Sequence, residues 1–321
     1  MNILVTGANG FVGKAFSRSV KDTEHFLTAV IRNKEGITET DAKIKIVPVG
    51  NILEYSQWNN LLQSTDCIVH LASTAHKIVH NDVQLELAFD NDIKAHKLLV
   101  KKAIEAGIKR YIYLSSVKVY GEDSQNLHEV VLTEESEIGQ NCDLYGLSKI
   151  ECENYLQLMS NDSAMEFVII RSPLVYGEGV KANFKRLMSL ANSPWFLPFS
   201  NFVNKRSMIA IDNLIDFIQL CCISQQAKNQ VFLVSDSHPL SLSELLATMR
   251  LLMKRPRRLF YFPYVFILLM AKLVRKEKIL AKLHFSLLVS TEKALTHLGW
   301  KPPISSSDAL LKILTSSKTE K

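Results

Sequence analysis

Residues 2–13 read NILVTGANGFVG, an apolar run followed directly by glycines at positions 7, 10 and 13. Asn2–Thr6 is predicted as a buried strand and Phe11–Val20 as a helix, so the glycines form the turn between them. Such a turn lets backbone N–H groups approach a pyrophosphate, whose charge then faces the helix N-terminus. A dinucleotide site is therefore predicted, with contacts from Gly7, Asn9, Gly10, Phe11, Val12 and Gly13.

The first half of the chain alternates β-rich runs with helical patterns. The further predicted strands are Phe26–Ile31, Lys43–Val47, Cys67–Leu71, Tyr111–Leu114 and Phe167–Ile170. The further predicted helices are Tyr55–Leu62, Glu86–Ala106 and Leu144–Met159. Because most strands are continuous apolar runs, we expect them to be buried on both faces. The alternation predicts an α/β fold with a doubly wound parallel sheet of the Rossmann type.

The rhythm changes after Arg171, where prolines and glycines break the chain into short elements. The run Val231–Val234 is expected to return to the sheet. We predict a dinucleotide-binding domain over 1–172 with a returning segment at about 207–235. The remaining segments, 173–206 and 236–321, are predicted to form a smaller, interleaved C-terminal substrate domain.

Composition restricts the class of protein. Hydrophobic residues make up 47% and charged residues 22% of the 321 residues, which is typical of globular chains. The net charge of +6 is spread along the chain, so no nucleic-acid partner is expected. Five cysteines without CxxC spacing indicate neither disulfides nor zinc, and no metal site is expected. A reducing, cytoplasmic location follows, since Ile3–Val5 is too short for a signal peptide.

The most membrane-like segment is Leu259–Leu273, which is flanked by Arg255, Arg257, Arg258 and Arg275. It contains Pro263 and is shorter than the roughly 20 residues needed to span a bilayer, so no transmembrane segment is expected. Two interpretations stay open. The segment is either a buried helix of the second domain, or a helix that makes peripheral membrane contact with its arginines facing lipid phosphates.

The end of the second predicted strand distinguishes the two nicotinamide dinucleotides. An Asp or Glu there binds a ribose 2′-hydroxyl, whereas an Arg accommodates a 2′-phosphate. This chain has Arg32 and no acid at that point, which favours NADP(H). If Arg32 is a solvated surface charge, the site takes NAD(H) instead.

Tyr145 and Lys149 lie four residues apart in a predicted helix, so both side chains share one face. An ammonium favours the ionised form of a nearby phenol. The tyrosine can then exchange a proton with a carbinol or ketone while a hydride moves to or from a nicotinamide. Ser115 and Ser116 precede the pair at a predicted strand end, where one hydroxyl can hold the same oxygen.

These motifs resemble the extended short-chain dehydrogenase/reductases, the NAD-dependent epimerase/dehydratase family, across nearly the whole chain. The matching stretches are Thr6–Gly13, Asp66–Ala72, Asn91 within FDNDIKAHKLL, Leu114–Gly121, Tyr145–Lys149, Ile169–Gly179 and Lys205–Ile218. The resemblance implies a catalytic triad of Ser116, Tyr145 and Lys149. It also implies cofactor contacts from Leu71, Ala72, Asn91 and Lys149.

The resemblance further implies a nucleotide-sugar substrate whose diphosphate is bound by Asn183 and Arg206, since a guanidinium fork matches phosphate oxygens. Ser115 and Lys118 are additional candidates for substrate contact. The helices Glu86–Ala106 and Leu144–Met159 resemble those that pair in the family's dimer interface, so a homodimer is expected.

Three reactions are compared within this family. Ser116-Val117-Lys118 replaces the Thr-Asp-Glu of sugar-nucleotide 4,6-dehydratases, which argues against dehydration. The stretches 71–78, 115–122, 171–187 and 299–303 are similar to bacterial UDP-4-keto-6-deoxy-N-acetylhexosamine 4-ketoreductases of O-antigen and lipopolysaccharide synthesis. That similarity predicts hydride transfer from NADPH to C4 of the keto sugar.

One departure keeps an alternative open. Lys118–Gly121 reads KVYG, as in epimerases, where the ketoreductase subgroup has KVNG. The alternative is therefore an NAD-dependent UDP-sugar 4-epimerase of the UDP-glucose or UDP-N-acetylglucosamine type. A non-enzymatic dinucleotide sensor that binds protein partners is less favoured, because the Ser, Tyr and Lys constellation is intact.

Overall fold

The computed structural model describes residues 1–33, 41–74, 82–121, 131–139, 141–180, 183–273 and 286–319. The strands are β1 (Asn2–Thr6), β2 (Phe26–Ile31), β3 (Ile44–Pro48), β4 (Cys67–His70), β5 (Arg110–Ser116), β6 (Val131–Leu132), β7 (Glu166–Ser172), β8 (Leu174–Tyr176), β9 (Lys205–Arg206), β10 (Met208–Ala210), β11 (Gln230–Leu233), β12 (Leu240–Ser241) and β13 (Leu288–Val289). The helices are α1 (Phe11–Val20), α2 (Trp58–Leu62), α3 (Asp82–Glu105), α4 (Leu144–Asn161), α5 (Asn183–Asn192), α6 (Ile211–Ile223), α7 (Leu242–Leu252), α8 (Tyr264–Leu273), α9 (Glu292–Leu298) and α10 (Ser306–Thr319).

Seven parallel strands form the main sheet, in the order β11-β7-β5-β4-β1-β2-β3. The order reverses at β1, which pairs with β2 on one side and with β4 on the other. In doubly wound sheets a ligand binds at the carboxyl ends of the strands where this reversal occurs. The predicted α/β fold is confirmed, and the carboxyl edge of β1 and β4 is the expected place for a site.

Two predicted boundaries differ from the structure for tertiary reasons. Strand β5 begins at Arg110, a charged residue that is 4% exposed, and runs to Ser116 because it pairs with β7 over its whole length. Arg110 donates to the Glu166 carboxylate at 2.6 Å and to the main-chain carbonyls of Cys221 and Ser224 at the end of α6. The predicted helix at Tyr55 begins only at Trp58, against which the Tyr55 ring packs edge-on at 5.1 Å. Other boundaries differ by one to a few residues.

Apolar clusters cover both faces of the sheet. Phe16 of α1 and Phe217 of α6 pack on one face, and Leu99 of α3 and Leu156 of α4 pack on the other. A third cluster joins α5, α7 and α10, where it includes Phe184, Leu246 and Ile313. The proposed division into two domains stays a prediction. Trp300, from the predicted substrate domain, packs in the same cluster as Phe217.

The Leu259–Leu273 segment forms α8 and the extended chain before it. Val265, Phe266, Leu269 and Leu273 are exposed, so the interpretation of this segment as a buried helix is wrong. Within the described residues no helix combines the length and the apolar content needed to cross a bilayer. The flanking Arg275 lies outside the described residues.

Candidate active site

The glycine turn forms an open, backbone-lined cradle at the end of β1. Gly10 precedes α1 and donates its N–H to the Gly7 carbonyl at 2.8 Å. A Cβ on Gly13 would lie 2.1 Å from the Gly7 oxygen, so only glycine allows α1 to approach so closely. Asn9 and Gly10 are exposed, and the first turn of α1 has no acidic side chain. This cradle fits the pyrophosphate of a dinucleotide.

The segment after β4 lies directly against the glycine turn. Gly7 has φ +71, and a Cβ there would sit 2.8 Å from the Ala72 nitrogen. The Ala72 N–H donates to Thr6 Oγ1 at 3.4 Å, and that hydroxyl lies 3.1 Å from His70 Nδ1. The Leu71 N–H donates to the Thr6 carbonyl at 3.3 Å. Leu71 and Ala72 thus lie beside the cradle, and their cofactor role stays a prediction.

Helix α3 is fastened to this segment through Asp92 rather than through Asn91. One Asp92 carboxylate oxygen accepts the Thr74 N–H at 2.7 Å and the Thr74 hydroxyl at 2.8 Å. The neighbouring Asn91 is exposed on α3. Because adjacent helical residues face different directions, Asn91 is not the residue that holds α3 against the loop, and its cofactor role stays a prediction.

Arg32 follows β2 directly and is exposed. Its carbonyl accepts the Gly50 N–H at 3.1 Å, which fixes the backbone between β2 and the end of β3. The guanidinium is therefore on the surface at the carboxyl edge of the sheet, where a ribose 2′-group is expected. Its preference for NADP(H) over NAD(H) stays a prediction.

Tyr145 and Lys149 meet at the start of α4. Lys149 is 5% exposed, and its Nζ donates to the Leu114 carbonyl at 3.0 Å. The same ammonium lies 5.6 Å from the Tyr145 ring centroid, and Lys118 Nζ lies 5.7 Å from that centroid. Two ammonium groups therefore lie close to the ring that carries the predicted acid–base hydroxyl.

The two predicted serines are separated by strand geometry. Ser116 ends β5, and its Oγ accepts the Lys118 N–H at 3.3 Å, which caps the 3₁₀ turn Val117–Tyr120. Ser115 is 2% exposed, and its Oγ has no hydrogen-bond partner among the described residues. Since successive side chains on a strand point to opposite faces, Ser115 and Ser116 do not face the same ligand. The geometry does not favour a substrate role for Ser115, and the role of Ser116 beside Tyr145 stays a prediction.

The site includes an acidic residue that sequence reasoning missed. Asp143 forms an ion pair with Lys118, and its Oδ1 accepts the Gly146 N–H at 2.8 Å as the N-cap of α4. It thus joins the turn after Ser116 to the helix that carries Tyr145. An Asp directly before a predicted helix was the available signal, because Asp is a preferred N-cap. Lys118, predicted as a substrate contact, has the Asp143 carboxylate as a partner in the structure.

A buried cluster of aromatic and histidine rings packs next to Lys149, whose Nζ lies 4.6 Å from the Tyr113 ring centroid. His96 Nε2 lies 3.1 Å from the Cys152 carbonyl, and the His96 ring lies 4.5 Å from that of Tyr113. Burial lowers the pKa of His70 to about 3, with a smaller contribution from the charge of Lys149. Burial likewise lowers the pKa of His96 well below its usual value. Both imidazoles are therefore neutral at pH 7, so they place no positive charge beside the Lys149 ammonium.

The predicted diphosphate contacts lie away from the sheet. Arg206 is half-buried on β9, which pairs with β12, and burial lowers the pKa of its guanidinium. Asn183 begins α5, but its side chain lies outside the described part of the chain. In that same described part, no three His, Cys, Asp or Glu side chains are grouped as metal ligands.

The sheet order and the glycine turn together define a Rossmann-type fold with a place for a dinucleotide at the end of β1. Residues 3–231 match the NAD dependent epimerase/dehydratase family. The chain therefore belongs to that family, and it is an enzyme that uses a nicotinamide dinucleotide.

Three comparisons relate the chain to known proteins. It is 36% identical to UDP-glucose 4-epimerase of Vibrio cholerae over 305 residues, which cover 94% of this chain and 91% of that protein. It is 24% identical to N-acetyl-alpha-D-glucosaminyl-diphospho-ditrans,octacis-undecaprenol 4-epimerase of Escherichia coli O157:H7, with 82% and 76% covered. The fold matches UDP-glucose 4-epimerase of Thermotoga maritima, solved with UDP-glucose, with a TM-score of 0.77 and 20% identity over all of both chains. At that identity, the last comparison shows the fold alone.

Proposed function

We propose that this enzyme is an NAD-dependent 4-epimerase of UDP-hexoses. The observation that carries the proposal is the 36% identity to the Vibrio cholerae UDP-glucose 4-epimerase along 94% of the chain. The KVYG turn at Lys118–Gly121, which departs from the ketoreductase pattern, supports the same choice. The relatives thus favour the 4-epimerase, which the sequence analysis gave as the alternative. The 4-ketoreductase becomes the second candidate.

The mechanism follows from the residues around Tyr145. NAD, held by the glycine turn between β1 and α1, would supply the hydride acceptor and donor for C4 of the sugar. Tyr145 would take the O4 proton while C4 is oxidised, so that a 4-keto sugar would form. Ser116 Oγ would hydrogen-bond O4, and the Lys149 and Lys118 ammonium groups lie beside the Tyr145 ring. Tyr145 would then return the proton to O4 as C4 is reduced from its opposite face, which would invert C4.

The substrate's diphosphate is proposed to lie against Arg206, with Asn183 as a second contact. A half-buried guanidinium has lost part of its hydration, so a doubly charged diphosphate with matching acceptor geometry is a favourable partner. The site would then hold the substrate by its nucleotide diphosphate while the sugar ring of the 4-keto intermediate rotates. Such rotation is required if both faces of C4 are to meet the same nicotinamide.

The purified enzyme is expected to interconvert UDP-glucose and UDP-galactose, or their N-acetyl derivatives, without net change in absorbance at 340 nm. Separation of the UDP-sugars by anion exchange measures the product. The competing test mixes the enzyme with NADPH and a UDP-4-keto-6-deoxy-N-acetylhexosamine. Steady loss of absorbance there, without interconversion of UDP-hexoses, would replace the epimerase with the ketoreductase.

The second candidate has one observation in its favour, the exposed Arg32 at the end of β2. If Arg32 contacts a 2′-phosphate, Arg32→Asp should weaken NADP(H) binding by about tenfold or more, because one charge-assisted contact is worth about 1.5–3 kcal/mol. Arg18→Asp is the matched control, since it makes the same charge change at an exposed position late in α1. Fluorescence titration of NADPH and NADH measures both affinities. Equal NADP(H) affinity in all three proteins would identify Arg32 as a solvated charge and favour NAD.

A homodimer is also part of the proposal. Val83 and Leu87 of α3 and Leu147 and Leu158 of α4 are exposed large apolar residues. These two helices pack against each other, so both present exposed apolar side chains together with the exposed Lys97–Glu151 ion pair. Burial of such a surface against a second copy lowers the free energy of the assembly.

A further inference from the structure

A second exposed apolar surface is formed by residues 195–196 and 260–273. Trp195 and Leu273 are 74% and 86% exposed, although aromatic and aliphatic side chains of this size are normally covered. We call this the aromatic-basic surface, and its exposed apolar members are Trp195, Phe196, Phe260, Tyr261, Val265, Phe266, Leu269 and Leu273. Its exposed cations are Lys254, Arg255, Arg257, Arg258 and Lys272.

The two segments that form this surface are held together by main-chain bonds. The Leu197 N–H donates to the Arg258 carbonyl at 2.9 Å, and the Phe260 N–H donates to the Leu197 carbonyl at 3.0 Å. Arg258 also reaches across, donating to the Pro194 carbonyl at 2.5 Å and lying 5.3 Å from the Phe196 ring centroid. The Trp195-Phe196 pair is therefore fixed beside the chain that leads into α8.

Helix α8 continues the surface. Its Phe266 ring packs 5.9 Å from Phe262, whose carbonyl accepts the Asn201 amide at 3.2 Å. Tyr264 faces the protein, 6.4 Å from the Phe202 ring. Val265, Leu269 and Leu273 are left exposed at helical spacing. The helix is thus anchored to the protein by its first turn while other apolar side chains stay open to solvent.

The sequence segments that contribute to this surface carry charges of one sign. Residues 179–211 contain five Lys or Arg and residues 245–276 contain eight, and neither stretch has an Asp or Glu. The whole chain carries +6, so the remainder of the sequence is net acidic by seven charges. Lys and Arg occur throughout the chain, but the excess of cations over acidic residues is therefore concentrated in the segments that include the exposed aromatic residues.

We propose that the aromatic-basic surface docks on an anionic phospholipid bilayer. Aromatic and aliphatic side chains enter the region between headgroups and acyl chains, while Lys and Arg contact lipid phosphates. The ten residues of α8 are about 15 Å long, which suits a helix that lies on a bilayer rather than one that crosses it. A second copy is a poorer occupant, because a two-fold interface would press the same cations against each other without any carboxylate between them.

The full-length protein should co-sediment with phosphatidylcholine vesicles that contain about one third phosphatidylglycerol. It should bind pure phosphatidylcholine vesicles at least about tenfold more weakly, and binding should fall as salt is raised. The double variant Phe266→Glu/Leu269→Glu should lose at least about tenfold in vesicle affinity, because it places charge in the apolar contact. The matched control is Ile223→Glu, an equally exposed apolar residue at the end of α6, which should bind as the wild type does.

A second pair of substitutions keeps the test valid if the apolar variant does not fold. Lys254→Gln/Arg257→Gln removes two exposed cations and should weaken binding to anionic vesicles only. Thermal melting followed by circular dichroism checks that each variant is folded. The proposal is overturned if the wild type stays in the supernatant with anionic vesicles, or if both double variants bind as it does. If the double variants lost self-association in sedimentation velocity but bound vesicles as the wild type does, the surface would instead be assigned to contact with a second copy of the chain.

Discussion

Tyr145→Phe is expected to lower kcat by about 10²- to 10⁴-fold, the contribution of a positioned acid–base group. The substitution removes the hydroxyl that exchanges a proton with O4 and keeps the ring that packs 5.8 Å from Phe89. Cofactor affinity should stay near the wild-type value, because the glycine turn and the Lys149 contact to Leu114 are untouched. Rates are measured from UDP-hexose interconversion, and cofactor affinity from fluorescence titration.

Tyr155→Phe is the matched control on the same helix. It deletes an equivalent hydroxyl, which is buried without a hydrogen-bond partner among the described residues. That variant should retain activity close to the wild type. A Tyr145→Phe enzyme with unchanged kcat would remove Tyr145 from the proposed mechanism, whatever sugar is the substrate.

Glu153→Ala is expected to lower the free energy of unfolding by about 3–5 kcal/mol, because it leaves a buried guanidinium without its counter-ion. The side chains of Arg171 and Glu153 are 5% and 2% exposed, and Arg171 Nη2 lies 2.7 Å from Glu153 Oε2. Arg171 Nη1 also donates to the Tyr120 hydroxyl at 2.7 Å. The pair thus joins β7, α4 and the turn after Ser116, so its loss should also disturb the site.

Glu151→Ala provides the control for this prediction. Glu151 is two residues away on the same helix, and its carboxylate pairs with Lys97 at 2.6 Å, but both side chains are exposed to solvent. Exposed ion pairs contribute about 0–1 kcal/mol, so this variant should unfold near the wild-type midpoint. Urea denaturation followed by tryptophan fluorescence and circular dichroism measures both. Equal midpoints for the two variants would contradict a stabilising role for the buried pair.

Local features of the sequence were sufficient to predict the fold. Continuous apolar runs such as Cys67–Val69 and Phe167–Ile170 identify buried parallel strands, because a strand covered on both faces is rich in apolar residues at successive positions. The glycines at 7, 10 and 13 and the i,i+4 pair of Tyr145 and Lys149 are also local patterns. Their geometry depends on neighbouring residues only, so the dinucleotide cradle and the Tyr-Lys pair could be recognised before the structure.

Contacts between residues distant in sequence were decided by the tertiary structure alone. Lys118 and Asp143 are 25 residues apart, and nothing local links the charge of one to the other. The pairing of Arg171 with Glu153 and the burial of His96 depend in the same way on how β7, α3 and α4 pack. The exposure of α8 is a further case. An apolar run records the hydrophobicity of a segment, but whether another element covers it depends on the arrangement of the whole chain.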